Sequence, residues 1–188
     1  MIYAEMEAIH TPRLLLRKLT LEDVPLYYSR LGRSKDVTKY MLFQPHADIR
    51  ESQLSIEKAL GRYAGGKSYR YCIALADTNE LIGMIEPLRF DEDRSSCSFA
   101  YMLAQEFWGQ GYGTEALTAL LDFLFEKMDI RLVEADHMAE NVGSGCVMRK
   151  VGMTYQGTEP GKYEKDGVIH DACQYAITKE QWMLRNKA

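Results

Sequence analysis

Apolar residues recur along this chain with two periods, and the switch between them marks its elements. Residues 13–19 read as a strand opened by Thr11-Pro12. Thr20 and Asp23 stand in capping-box spacing and start a helix. Its apolar face is Leu21, Val24, Leu26, Tyr27 and Leu31, and Gly32 stops it. A short helical turn is expected over 36–42. Asp48 caps a helix to about Tyr63 with Leu54, Ile56, Ala59, Leu60 and Tyr63 as its apolar positions, ended by Gly65-Gly66. The period then shortens. Residues 69–76 alternate Tyr71, Ile73 and Leu75 on one face. Residues 77–80 connect to a returning strand over 81–90, with Ile82, Met84 and Glu86 on one side. A polar loop leads to a third strand over 97–103, completing an antiparallel meander.

Helical spacing returns at Leu117, Leu120, Leu121, Leu124, Phe125 and Met128. Residues 132–138 form the next strand, and a strand–helix–strand unit implies a parallel pair. Another helix opens at 141–144, buries Cys146, Val147, Met148 and Val151, and closes at Gly152. Residues 153–159 and 170–177 pair antiparallel around the turn Lys165-Asp166-Gly167. Thr178 and Gln181 cap a last helix around Trp182. The expectation is one domain over residues 1–188.

Between the third strand and the long helix lies Trp108-Gly109-Gln110-Gly111-Tyr112-Gly113-Thr114. Glycines there allow positive φ and close approach. A helix that opens at such a turn leaves N–H groups without partners, beside the positive end of its dipole. Both features suit a phosphate or diphosphate. A tight strand–helix turn with no ligand is the alternative. The stretch is not a Walker loop, because no Gly-Lys-Ser/Thr follows, and its G-x-G-x-G spacing is not a Rossmann fingerprint.

Composition narrows the classes. The net charge is −4, from 23 Lys and Arg against 27 Asp and Glu, which argues against broad nucleic-acid binding. Charged residues break every apolar run, so no membrane span is expected, and the acidic start lacks a signal-peptide core. The four cysteines are widely spaced with no C-x-x-C pair, which fits reduced core thiols in a cytoplasmic protein and no metal site.

A second motif follows the strand over 132–138. Residues 141–153 have the form N-x-x-S…K-x-G-hydrophobic, from Asn141 and Ser144 to Lys150, Gly152 and Met153. Together with the glycine turn, this resembles the GNAT superfamily of acyl-CoA-dependent N-acetyltransferases. The opening Thr11-Pro12-Arg13-Leu14-Leu15-Leu16-Arg17 resembles the branch of ribosomal-protein N-terminal (Rim-type) acetyltransferases. So does the closing Asp171-Ala172-Cys173-Gln174-Tyr175-Ala176-Ile177. The family's glycine motif is Q/R-x-x-G-x-G/A, and Trp108 stands at its first position here.

The resemblance implies a mixed α/β (α+β) GNAT fold. Its central sheet is mostly antiparallel, with six or seven strands, splayed in the middle, with helices on both faces. It implies acetyl-CoA as co-substrate and an amine acceptor, either a protein α-amine or a small molecule, attacked directly in a ternary complex. Tyr101, Met102 and Leu103 would pair with the pantetheine arm. Trp108, Gly109, Gln110, Gly111, Tyr112, Gly113 and Thr114 would surround the diphosphate. Asn141 and Ser144 would lie along the arm, and Lys150 would reach the phosphates or cap its own helix. Family members are often dimers, so the last hairpin is a candidate for pairing across a two-fold axis.

Acetyl transfer requires a neutral amine, and an α-amine of pKa about 7.7–8.0 already supplies one in part. The candidate bases are Glu86, which interrupts an apolar strand, and His137, with Asp136 behind them. A buried structural histidine and a salt-bridged carboxylate are the alternatives. Ser144 is the candidate proton donor to the leaving thiolate, with Tyr101 as a substitute. A main-chain N–H at Met102 or Leu103 is the natural oxyanion donor. The acceptor pocket is expected from residues 37–45, Glu86 and residues 162–170. A non-catalytic acyl-CoA-binding module on the same fold is the alternative function.

Overall fold

The computed structural model describes residues 1–66 and 68–185. Its strands are β1 (Ile9–His10), β2 (Leu14–Arg17), β3 (Tyr71–Leu75), β4 (Leu81–Asp91), β5 (Ser96–Leu103), β6 (Leu132–Met138), β7 (Thr154–Lys165) and β8 (Val168–Thr178). The sheet order is β1-β2-β3-β4-β5-β6-β8-β7. The pairs β1–β2, β2–β3, β3–β4, β6–β8 and β8–β7 are antiparallel, and β5 with β6 is parallel. The sheet has eight strands rather than six or seven. The extra one is the two-residue β1, whose Ile9 and His10 pair with Leu16 and Leu15 and are too few to show a period. Contacts divide the described residues into two compact units, one of Tyr3–Pro87 and Ala100–Leu120, the other of Met1–Ile2, Leu88–Phe99 and residues 121–185.

In the first unit, α1 covers residues 21–32, α2 is Lys35–Thr38 and α3 is Ile49–Ala64. The capping box forms as expected, with the Thr20 amide donating to Asp23 Oδ2 at 2.8 Å. Asp23 also takes the guanidinium of Arg17 at 2.8 Å, which ties α1 to β2. Asp48 caps α3 by accepting from the Arg50 and Glu51 amides. One core joins these helices to β3 and β4 through Leu19, Tyr27, Leu31, Ile56, Cys72 and Met84. Two expectations change. Residues 71–74 and 81–85 are buried on both faces rather than alternately, which is the pattern of a strand covered on each side. On α3 the fully buried positions include Ser52 and Ile56, whereas Leu54 is 47% exposed. Ser52 is accommodated because its Oγ lies 2.7 Å from His46 Nδ1.

In the second unit, β5 pairs in parallel with β6 at Ser96↔Leu132, Cys97↔Val133 and Ser98↔Glu134. Strand β6 pairs antiparallel with β8 along its whole length, and β8 with β7. The long hairpin runs farther than the sequence pattern suggested, to Lys165 and Val168. A bulge between Glu159 and Tyr163 takes up Pro160 and Gly161. Helix α5 is Val142–Lys150 and α6 is Lys179–Arg185. Trp182 of α6 is buried against Phe125 and donates from Nε1 to Asp122 at 2.9 Å. Cys72 and Cys97 are buried, Cys146 and Cys173 half-buried, and all four are free thiols. Burial pushes the Cys72 and Cys97 thiols up to about 12. Among the described residues no helix is long and apolar enough to cross a membrane.

Candidate functional site

The end of β5 leads into the glycine turn within the first unit. The Ala104 amide donates to the Ile82 carbonyl at 2.8 Å. Main-chain groups of alternate residues point to opposite strand edges. Met102 therefore faces β4 with Ala104, and Leu103 faces the other edge. The Leu103 carbonyl accepts from the indole Nε1 of Trp108 at 2.6 Å. Trp108 is thus a latch between strand and turn, although its ring is 46% exposed.

A single helical turn (Gln105–Phe107) follows, and then the chain reverses at Gly109 (φ +73°) and Gly111 (φ +87°). Side chains other than glycine rarely adopt this region. Helix α4 (Tyr112–Asp122) begins immediately after, and its backbone continues through 123–127. Gly113 lies inside its first turn. The first main-chain bond of the helix is Glu115 N–H to the Gly111 carbonyl at 3.0 Å. The amides of residues 109–114 meet no acceptor among the described residues. A Cβ built on Gly109 would touch nothing within 4 Å. Open space, unsatisfied donors and a helix N-terminus together fit a diphosphate.

Arg13, just ahead of β2, braces this turn. Its Nη1 donates to the Gln110 carbonyl at 3.0 Å, and its carbon Cζ sits 4.3 Å over the Tyr112 ring. It pairs with Glu115 at 2.6 Å, and Glu115 also accepts from Thr11 Oγ1 at 2.6 Å. Burial opposes ionisation of Glu115, but the hydrogen bonds from Thr11 and Arg13 outweigh it and hold the carboxyl below its ordinary range.

Beside β5 the first unit has an open cavity of about 500 Å³. Residues from β5, β4, α3 and the 41–46 segment line it, Tyr101 and Met102 among them. Glu86 lies on its wall, paired with Arg70 at 2.8 Å. Arg70 Nε is buried with no acceptor among the described residues. Burial lowers the pKa of His46 on the same wall, so that imidazole is neutral at pH 7. The cavity holds Glu86 and part of the 37–45 segment, whereas residues 162–170, expected beside them, are not in its lining. Arg70 was missed by sequence reasoning. Its signal was a lone charge at the mouth of a strand, which becomes meaningful only once its partner across the hairpin is known.

The second unit holds the remaining candidates. His137 is 8% exposed and stacks on Tyr175 with ring centroids 5.6 Å apart. Its Nδ1 lies 2.8 Å from the Met138 carbonyl, so Nδ1 is the protonated nitrogen. Nε2 then has no partner among the described residues, and a Cβ on Gly145 would sit 2.7 Å from it. Asn141 caps α5, its Oδ1 accepting from the Ser144 amide at 3.3 Å. Ser144 is buried, and Lys150 occupies the exposed last turn of α5. Asp136 is engaged by Lys162 Nζ at 2.8 Å and by the Tyr163 hydroxyl. Burial, with Asp136 second, pushes Tyr163 up to about 12. No cluster of three or more metal-ligating side chains occurs among the described residues.

The model of the acetyltransferase (GNAT) domain matches residues 13–154. An uncharacterized N-acetyltransferase p20 of Bacillus licheniformis is 27% identical over 94% of this chain and 99% of its own. A GNAT-family acetyltransferase structure from Bacillus anthracis superposes with a TM-score of 0.82 at 24% identity, covering 93% of this chain and 99% of that one. RimL, a ribosomal L7/L12 alpha-N-protein acetyltransferase solved with coenzyme A, gives 0.81 at 23% identity, covering 92% and 98%.

Proposed function

The chain belongs to the GNAT acetyltransferase family, whose members use acetyl-CoA as co-substrate, and we propose that its acceptor is a primary amine received in the cavity beside β5. The supporting observation is the run of unsatisfied amides at residues 109–114, at the end of the strand that lines that cavity. Those amides would hold the diphosphate, with Gly109 and Gly111 supplying the backbone path. Bound acetyl-CoA supplies the acetyl thioester. The Leu103 amide, on the edge of β5 turned away from β4, would donate to a developing oxyanion.

Glu86 is the base candidate with the better geometry. It lines the cavity, and Arg70 fixes its orientation while leaving one oxygen for an amine N–H. Water can then relay the proton, since an α-amine is partly neutral already. His137 fits a structural role, because its ring is stacked and its second nitrogen abuts Gly145. Asn141 and Ser144 both serve the first turn of α5. Assignment to the Rim-type branch is supported by the Thr11–Arg17 and Asp171–Ile177 stretches, and a homodimer through the long β7–β8 hairpin by its length. A non-catalytic acyl-CoA module is not favoured, because the relatives are named N-acetyltransferases.

The test is coenzyme A binding by calorimetry combined with thiol release from acetyl-CoA across an amine panel. Binding and amine-dependent release are expected together. Binding without release on any amine would leave the non-catalytic reading standing.

A further inference from the structure

The same cavity also carries information about the amine itself, on the premise that it is the acceptor site. We propose that the acceptor is a monoamine with an apolar or aromatic body, with no second cationic group. The wall is built from Met41, Phe43, Leu54, Met84, Ile85 and Met102. Its charges are two acids, Glu51 and Glu86, against two bases, Lys58 and Arg70. Acids and bases therefore balance. Glu86 pairs with Arg70 at 2.8 Å, and Glu51, exposed at the rim, accepts from the Ala47 amide at 3.1 Å. His46 is neutral there, since burial lowers its pKa. One ammonium can share Glu86 with Arg70. A second would add a charge that the wall's two acids and two bases do not balance, facing Lys58 and Arg70, and an uncompensated charge is costly against apolar side chains. An apolar body, by contrast, gains from leaving water.

Initial rates of thiol release decide this, with the full-length protein, acetyl-CoA and three acceptors: 2-phenylethylamine, spermidine and a peptide beginning with serine. The kcat/KM for 2-phenylethylamine is expected to exceed that of either other acceptor by about tenfold or more. Leu54 is 47% exposed on α3, so Leu54→Glu should fold while adding a carboxylate to the wall. It is expected to lower the rate with 2-phenylethylamine and raise the rate with spermidine. Preference for spermidine or for the peptide, or a ratio that Leu54→Glu does not move, would overturn the acceptor class while acetyl transfer to amines stood. Intact coenzyme A binding with no release from any amine would overturn both.

Discussion

Arg13 and Glu115, 102 positions apart in the chain, meet in an ion pair of 2.6 Å that closes over the glycine turn. The same guanidinium holds the Gln110 carbonyl. The turn proposed to hold the cofactor is made of main-chain amides and has no side chain of its own to stiffen it. The pair from the residue before β2 to α4 supplies that stiffness. Arg13→Ala is therefore expected to raise the KM for acetyl-CoA about tenfold, with kcat and the far-UV circular dichroism spectrum little changed. Arg13→Lys keeps the charge but not the forked geometry, and should recover only part. An unchanged KM would reduce the pair to a surface contact.

Glu115 also gives a pH signature. Its carboxyl is held below the ordinary value of about 4.3. Its stabilising contribution is complete above that value and is lost as pH falls through the lowered folded value. Thermal unfolding followed from pH 6 down to pH 2 should show a smaller loss for Glu115→Gln than for the parent protein. Parallel curves for the two proteins would contradict this.

Gly111 cannot be replaced cheaply. Its φ of +87° strains any side chain by about 1–3 kcal/mol, and a Cβ would stand 3.3 Å from Arg13 Nη2. Gly111→Val should abolish coenzyme A binding by calorimetry and lower Tm by several degrees. Gly109→Ala meets open space instead, so it should cost strain alone and keep weakened binding.

Glu86→Gln should lower kcat by about 10²–10³-fold and leave the coenzyme A Kd within a factor of two. The amide still accepts from Arg70, so folding should survive. A kcat within threefold of the parent would remove Glu86 from the chemistry.

For His137 the expected effect is on stability. Losing a buried ring stacked on Tyr175 should cost about 2–3 kcal/mol in His137→Ala. Denaturant titration measures this, and kcat per folded molecule should change less than threefold. A large fall in kcat with unchanged stability would return His137 to the list of bases.

The pairing of Glu86 with Arg70 shows where sequence reading stops. A hairpin connected by residues 77–80 puts residue 70 opposite residue 87. The folded chain closes at Leu75 and Glu80 instead, and a bulge between Ile73 and Ala74 then shifts the register so that Tyr71 faces Ile85. Arg70 thereby falls beside Glu86. A one-residue slip exchanges the faces of a strand, and no periodicity in residues 69–90 encodes the bulge.

The sequence alone determined the longer elements and the place of the glycine turn, because helical and strand periods and positive-φ glycines are local properties of the chain. It also carried the family, through motifs whose order along the chain is itself information. Tertiary structure decided which charges meet, that Arg13 braces the turn, that Leu54 joins a cavity wall and that the His137 ring is buried. Each of these depends on side chains brought together from distant positions or on a register set by one bulge, and such long-range pairing leaves no periodic trace in the order of residues.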